Sequence, residues 1–207
     1  VSLGTNKFAS SFGTTIASIQ YIRRGAVARF VALVAIPASF LGSSVGSALA
    51  ERYASATLSY LLIVLVPAIA IFMVVNPTFG QARERSKSFV MIVAALLSLL
   101  LGCYDGFFGP GTGMLLALAF TSLLGLDLLT ANGTARLVNL SSNLAAMAVF
   151  LYHGSVDFSV AIPCAAASIV GGFVGSRLAL KVGPRLVKPI MLFVLALLLA
   201  KVIFDLF

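Results

Sequence analysis

Residues Tyr104–Gly113 read Y-D-G-F-F-G-P-G-T-G, and the fold depends on how the protein accommodates them. One apolar run, Ser88–Cys103, precedes the stretch and another, Met114–Leu124, follows it, which sets it at or inside a membrane. Four glycines and a proline in ten residues prevent a continuous helix there. In hydrocarbon, non-helical backbone survives only where protein buries it or where it lines a wet cavity. Broken helices of that kind carry the substrate and coupling-ion sites of secondary transporters. The competing reading is a tight, solvated turn between two spans. Asp105 favours the functional one. It is the one carboxylate in the chain far from an obvious loop or end, and an ionisable residue at membrane depth is a functional marker by default.

Composition sets the class. Of 207 residues, 60% are hydrophobic and 10% charged, with a mean hydropathy of +1.11. Soluble domains carry roughly 25% charged and about 45–50% apolar residues. The chain is therefore read as an all-α integral membrane protein, a polytopic helical bundle. A net charge of +8 would suit nucleic acid, but the charges fall between apolar segments, as in cytoplasmic loops, so no nucleic-acid partner is expected. Cys103 and Cys164 sit in apolar context and read as inert buried thiols. The single histidine, His153, has no cysteine or histidine at ligand spacing, so neither a metal nor another cofactor is expected. Gly109-x-Gly111-x-Gly113 lacks the preceding strand of a nucleotide fingerprint. No catalytic arrangement is present, and the chain does not read as an enzyme.

Apolar segments recur at 4–22, 27–49, 56–75, 88–104, 111–124, 133–151, 157–180 and 186–206. Most approach the ~20 residues of a span; 111–124 is short, as a half-helix or hairpin limb would be. An offset of 129 residues aligns the two halves without a gap. It carries Gly4-Thr5 onto Gly133-Thr134, Lys7 onto Arg136, and Gly25 onto Gly154. From Gly25 to Ala50, 12 of 26 positions are identical. The chain thus divides into a first repeat, 1–80, and a second, 81–207, forming one membrane domain. The second begins with the segments 88–104 and 111–124. Their counterparts, with a glycine-rich break of their own, are expected upstream of Val1.

Loop charge gives the topology. Basic clusters at Arg23/Arg24/Arg29, Arg83/Arg85/Lys87 and Lys181/Arg185/Lys188 belong in the cytoplasm. Equivalent loops of the two repeats then differ in charge, as two inverted-topology repeats with an odd number of crossings each would require. Gly42-x-x-x-Gly46 and Gly171-x-x-x-Gly175 read as small-residue packing faces that join the repeats.

Each repeat opens a helix with a polar cluster: Thr5, Asn6, Lys7 and Ser10 in the first, Thr134, Arg136, Asn139 and Asn143 in the second. Asn132, Arg136, Asn139 and Asn143 are spaced to form one helical stripe. Thr5, Lys7, Thr134 and Arg136 are expected in a first helical turn, where free amides and the helix dipole attract anions. The alternative is snorkelling toward headgroups together with interhelical hydrogen bonds.

The motifs G-F-F-G-P-G-T-G-M and A-N-G-T-A-R-L-V-N-L-S-S-N-L-A, with the duplicated L-G-T-N-K, resemble the TauE/SafE sulfite-exporter family and its YfcA-like branch of bacterial inner-membrane proteins. The resemblance implies a multi-pass inner-membrane permease or exporter of a small anion, sulfite or an organosulfonate. Gly111-Thr112-Gly113, preceded by Pro110, departs from the family's glycine triplet. On this reading Lys7 and Arg136 neutralise the anion. Thr5, Asn6, Ser10, Gly109, Gly111, Thr112, Gly113, Thr134, Asn139 and Asn143 complete the binding site, and Asp105 is the coupling proton carrier. The partners are the small anion and the lipid bilayer, and a homo-oligomer is compatible with this. A non-transporting membrane scaffold is the competing class and a cation or metal permease a weaker third. Lys7→Glu is the charge reversal that the sequence suggests as a discriminating test.

Overall fold

The computed structural model describes residues 1–52, 85–109 and 111–183, together with 193 and 197. The expected segment at 56–75, most of that at 186–206, and Pro110 lie outside the described residues. Among the described residues six helices with defined bounds follow in order: α1 (Ser2–Arg23), α2 (Arg29–Arg52), α3 (Lys87–Phe107), α4 (Thr112–Ser122), α5 (Leu128–Tyr152) and α6 (Phe158–Val182). Among the described residues there is no strand. Four helices, α2, α3, α5 and α6, are long and apolar enough to cross a membrane, which makes this a multi-pass helical membrane protein. At 11 residues α4 is a half-span, as its short apolar run implies. The 22 residues of α1 match a span in length, but the helix is too polar to join the four. Its polar residues Thr5, Lys7, Ser11, Thr14 and Ser18 are buried in the bundle.

Two carboxylates fix helix starts. Asp127 caps α5 by accepting from the amides of Leu129 (3.1 Å) and Thr130 (3.0 Å). Asp157 caps α6, and hydrogen bonds from the Ser159 hydroxyl and amide hold its carboxyl below the usual range. In the core, Leu115, Leu116 and Phe120 of α4 pack with Val31, Ala35, Leu128 and Val138. Apolar side chains such as Leu33, Ile92, Leu100 and Val170 face outward, as they would toward lipid.

The closest helix pairing is α2 against α3. A Cβ at Gly42 or Gly46 would overlap the carbonyls of Leu99 and Cys103, and one at Gly106 would overlap the carbonyl of Ser43. Small residues thus bring the two backbones into contact, joining the N-terminal part of the chain to its second half. The second motif behaves differently. A Cβ at Gly171 or Gly175 would meet no described atom of another element within 4 Å, and it is Gly172 that meets the backbone of Gly13. Cys164 is another correction: it is exposed, on an outward face of α6, and Cys103 is half-buried. Apolar neighbours in sequence cannot distinguish a lipid-facing position from a core one.

Contacts between α1–α2 and α5–α6 come in pairs, related by the same offset of 129 residues. The amide of Ala28 donates to Thr134 Oγ1 at 2.9 Å, and that of Asp157 donates to Thr5 Oγ1 at 3.0 Å. Each threonine donates in turn to a carbonyl four residues back, Val1 at 2.9 Å and Thr130 at 2.7 Å. A Cβ at Gly133 would overlap the carbonyl of Ala26; one at Gly4 would overlap that of Ser155. The turns repeat as well, with Gly25 and Gly154 both at φ +68, a left-handed value that glycine adopts cheaply. Equal roles predict equal losses. Thr5→Val and Thr134→Val should each destabilise by about 1 kcal/mol in denaturant titrations of the micelle-solubilised protein. A large effect from one and none from the other would contradict the equivalence.

Candidate functional site

The break begins where α3 stops. Phe108 leaves helical geometry, Gly109 and Gly111 take φ +95 and +82, and α4 starts at Thr112. Those positive angles strain any residue with a Cβ, so the glycines permit the chain to reverse inside the bundle. Asp105 sits in the last turn of α3, and Lys7 of α1 reaches it: Nζ lies 2.7 Å from Oδ1, with the two side chains only 2% and 1% exposed.

A buried ion pair persists only if its remaining hydrogen-bonding capacity is met, and here α5 meets it. Lys7 Nζ donates to Asn143 Oδ1 at 3.1 Å. Ser142 Oγ donates to Asp105 Oδ2 at 2.6 Å. Asn139 links the two, donating from Nδ2 to Ser142 Oγ and accepting from Asn143 Nδ2, both at 3.4 Å. From α2, the Ser43 hydroxyl donates to the Ser142 carbonyl at 2.6 Å and ties the serine's backbone in place. The network therefore draws on α1, α2, α3 and α5 at the level of the break.

Two cations flank that break. A Cβ at Gly109 would come within 2.9 Å of Lys7 Nζ, so the ammonium lies directly against the glycine backbone. At the other end, a Cβ at Gly113 would lie 3.3 Å from Asn139 Oδ1 and 3.7 Å from Arg136 Nη1. Thr112 is buried, and its hydroxyl closes the turn on the Gly109 carbonyl at 2.8 Å. Arg136 is exposed. It lines a cleft of about 490 Å³ between α1, α5 and α6, along with Ser10, Thr14, Tyr21, Asn132 and Ser176.

The structure thus gathers Lys7, Asp105, Gly109, Gly113, Asn139 and Asn143 into one cluster, with Arg136 and Ser10 at its cleft. Other sequence candidates are placed differently. The Thr5 and Thr134 hydroxyls are each engaged twice, joining the two helical pairs. Asn6 is exposed and accepts from the Ser10 hydroxyl at 3.3 Å. The first-turn expectation is corrected too. With α1 starting at Ser2 and α5 at Leu128, Lys7 and Arg136 lie beyond the first turn of their helices, and so does Thr134. Thr5 already donates its amide to the Val1 carbonyl at 3.1 Å. Free first-turn amides cannot be what draws an anion to these residues. The side-chain charges remain. Ser142 and Ser43 join the site although the sequence places Ser142 only in the polar cluster of the second repeat and Ser43 only in a small-residue packing face. Serine in a helix ordinarily bonds its own preceding turn, so no spacing rule marks one that turns toward a carboxylate 37 residues away.

The chain is similar over most of its length to known proteins. The family model described as "Sulfite exporter TauE/SafE" matches residues 1–202. A "Probable membrane transporter protein" of Haemophilus influenzae is 34% identical over 206 residues, covering 99% of this chain and 80% of the relative. The "Probable membrane transporter protein YfcA" of Escherichia coli K12 is 32% identical over 203 residues, covering 98% and 76%. The "Probable membrane transporter protein ORF9" of a Sinorhizobium species is 34% identical over 203 residues, covering 98% and 78%. No solved structure matches the chain.

Proposed function

Because the chain belongs to the Sulfite exporter TauE/SafE family, we propose that it is an inner-membrane permease for a small anion, sulfite or an organosulfonate, working by alternating access between two inverted repeats. One observation carries the reading: a buried lysine is held by a carboxylate on a glycine-broken hairpin, beside a cleft that carries an arginine. Asp105 occupies Lys7 as an anion would. A permeant anion entering along Arg136 takes the place of that carboxylate on Lys7, and protonation of Asp105 releases the lysine for it. The paired contacts between α1–α2 and α5–α6 support the duplication. A two-fold relation generates such reciprocity, and an in-plane two-fold is the inverted-repeat arrangement.

A scaffold would use the same threonines and serines as glue. It would have no need of an ion pair whose desolvation penalty rivals its attraction.

The test is flux into liposomes of purified protein with sulfite, sulfoacetate, sulfate, thiosulfate and acetate. The informative variant is at Arg136, since Lys7→Glu would bury two facing carboxylates and fail through misfolding. Arg136 is exposed, so Arg136→Ala should leave the thermal midpoint unchanged. Flux of the preferred anion should fall by at least about tenfold, the equivalent of ~1.4 kcal/mol, and Arg136→Lys should recover part of it. No movement of any of the five anions by wild-type protein, or full flux in Arg136→Ala, would overturn the reading.

A further inference from the structure

We infer that the basic pocket between the ends of α1 and α6 binds the phosphodiester headgroup of an anionic phospholipid. The pocket, of about 250 Å³, is lined by Gln20, Arg23 and Arg24 at the end of α1 and by Phe173, Arg177 and Leu180 of α6. It shares no lining residue with the cleft at Arg136. Three guanidiniums on one hollow repel one another until an anion joins them, and each offers phosphate oxygens a planar pair of donors. Among the described residues the protein supplies no such anion. Asp105 is held by Lys7, and Asp127 and Asp157 cap α5 and α6. Glu51 lies at the opposite end of α2 from the Arg23–Arg24 turn. Carbonyls at a helix end would also repel an anion, but here they are occupied. Those of Gln20, Tyr21 and Ile22 accept from the amides of Arg24, Ala26 and Gly25 at 3.1, 3.0 and 3.0 Å.

The position of Arg177 separates this pocket from ordinary loop charge. Basic residues that only orient a membrane protein sit in loops and at helix ends, and Lys181 in the last turn of α6 meets that need. Arg177 stands five residues before the end of α6 at Val182, about 7.5 Å along the axis. Its guanidinium carbon lies 5.7 Å from the centroid of the Phe173 ring, a cation–π contact that steadies it over an apolar wall. Gln20 joins the two walls, its Nε2 donating to the Phe173 carbonyl at 3.0 Å. Deeper along the same helices the surface is apolar and open. Ile19, four residues before Arg23, and Val170 and Val174, seven and three before Arg177, are all exposed. Such a wall suits acyl chains hanging from a phosphate, so the phosphate belongs to a lipid and not to a soluble anion. Basic pockets between membrane helices take anionic headgroups in this way.

Thermal unfolding of the purified protein in a neutral detergent, titrated with phosphatidylglycerol, phosphatidylcholine or inorganic phosphate, tests this through the stabilisation a ligand confers. Phosphatidylglycerol should half-saturate the shift at a concentration at least about tenfold lower than phosphatidylcholine. Arg177→Gln should cut that preference by about fivefold, the share of one arginine near a membrane surface. Arg177 is exposed, so the midpoint before lipid is added should not move. Arg29→Gln, at an exposed arginine outside the pocket, should keep the full preference. Should Arg177→Gln fail to fold, Arg23→Gln/Arg24→Gln removes the opposite wall's charge, and a preference retained there overturns the proposal. So does the absence of any preference in the wild-type protein. Equal losses in Arg177→Gln and Arg29→Gln would make the attraction a diffuse property of the basic end and overturn it. An equal shift from inorganic phosphate at the lipid's concentration would assign the pocket to a soluble anion and overturn it as well. None of these readouts involves flux, so failure here and failure of the permease reading are separable.

Discussion

Lys7→Met should destabilise the folded protein by about 3–5 kcal/mol, and Asp105→Leu by a similar amount, because each leaves its partner's charge buried and unpaired. The pair is 2.7 Å apart and almost wholly enclosed, so water cannot replace the missing member. The double variant Lys7→Met/Asp105→Leu should recover most of that loss, since two apolar side chains of similar volume need no counter-charge. Thermal unfolding of the three proteins in one detergent would measure the cycle. If the single variants are as stable as wild type, the pair is not charged and the permease mechanism loses its lysine. Transport separates the double variant from wild type, because a refolded but uncharged site should carry no anion. Asp105→Asn, which can keep the hydrogen bond with Ser142, tests the proton. Exchange retained without proton-driven accumulation would support the carrier role; loss of both together would make the carboxylate structural.

Gly106→Leu is expected to have a comparable effect by a different route. A side chain there meets the backbone of Ser43 and Ser47, which cannot swing aside as a flexible side-chain end could. Overpacking of a close helix contact destabilises by about 1–3 kcal/mol and occasionally more. Displacing α3 at Gly106 also moves the adjacent Asp105 off Lys7, so the upper end of that range is expected. The comparison is Gly171→Leu in the same chain. A Cβ there would meet no described atom of another element within 4 Å, and its variant should stay within about 0.5 kcal/mol of wild type. Equal destabilisation by the two would show that the α2–α3 contact is not tighter than the open face of α6.

The sequence made the break, the half-helix after it and the membrane class legible for one reason. Glycine, proline and apolar length act locally, so their consequences do not depend on what packs nearby. Asp105 stood out by the same logic. Lys7 was legible as a site residue too, but which of Lys7 and Arg136 meets Asp105 was not, because Lys7 lies 98 residues away and the pairing depends on how α1 crosses α3 and α5. The expected segment 133–151 begins five residues late for α5, which starts at Leu128, although Asp127 ahead of it is a standard capping residue that marks the true start. Cys164 illustrates the converse. Hydrophobicity reports that a residue avoids water, and in a membrane protein lipid satisfies that as well as a core does.

The polarity that α1 turns inward has a consequence for biogenesis. Leaving the ribosome first of the described helices, α1 would present Lys7 to bare lipid with neither Asp105 nor Asn143 yet synthesised, which insertion into hydrocarbon disfavours by ~3 kcal/mol. The first of the described helices should therefore settle into the bilayer late, once α3 and α5 have arrived to receive its lysine. Nascent chains stalled before residue 105 should expose α1 to aqueous thiol reagents, and chains stalled well beyond residue 143 should shield it.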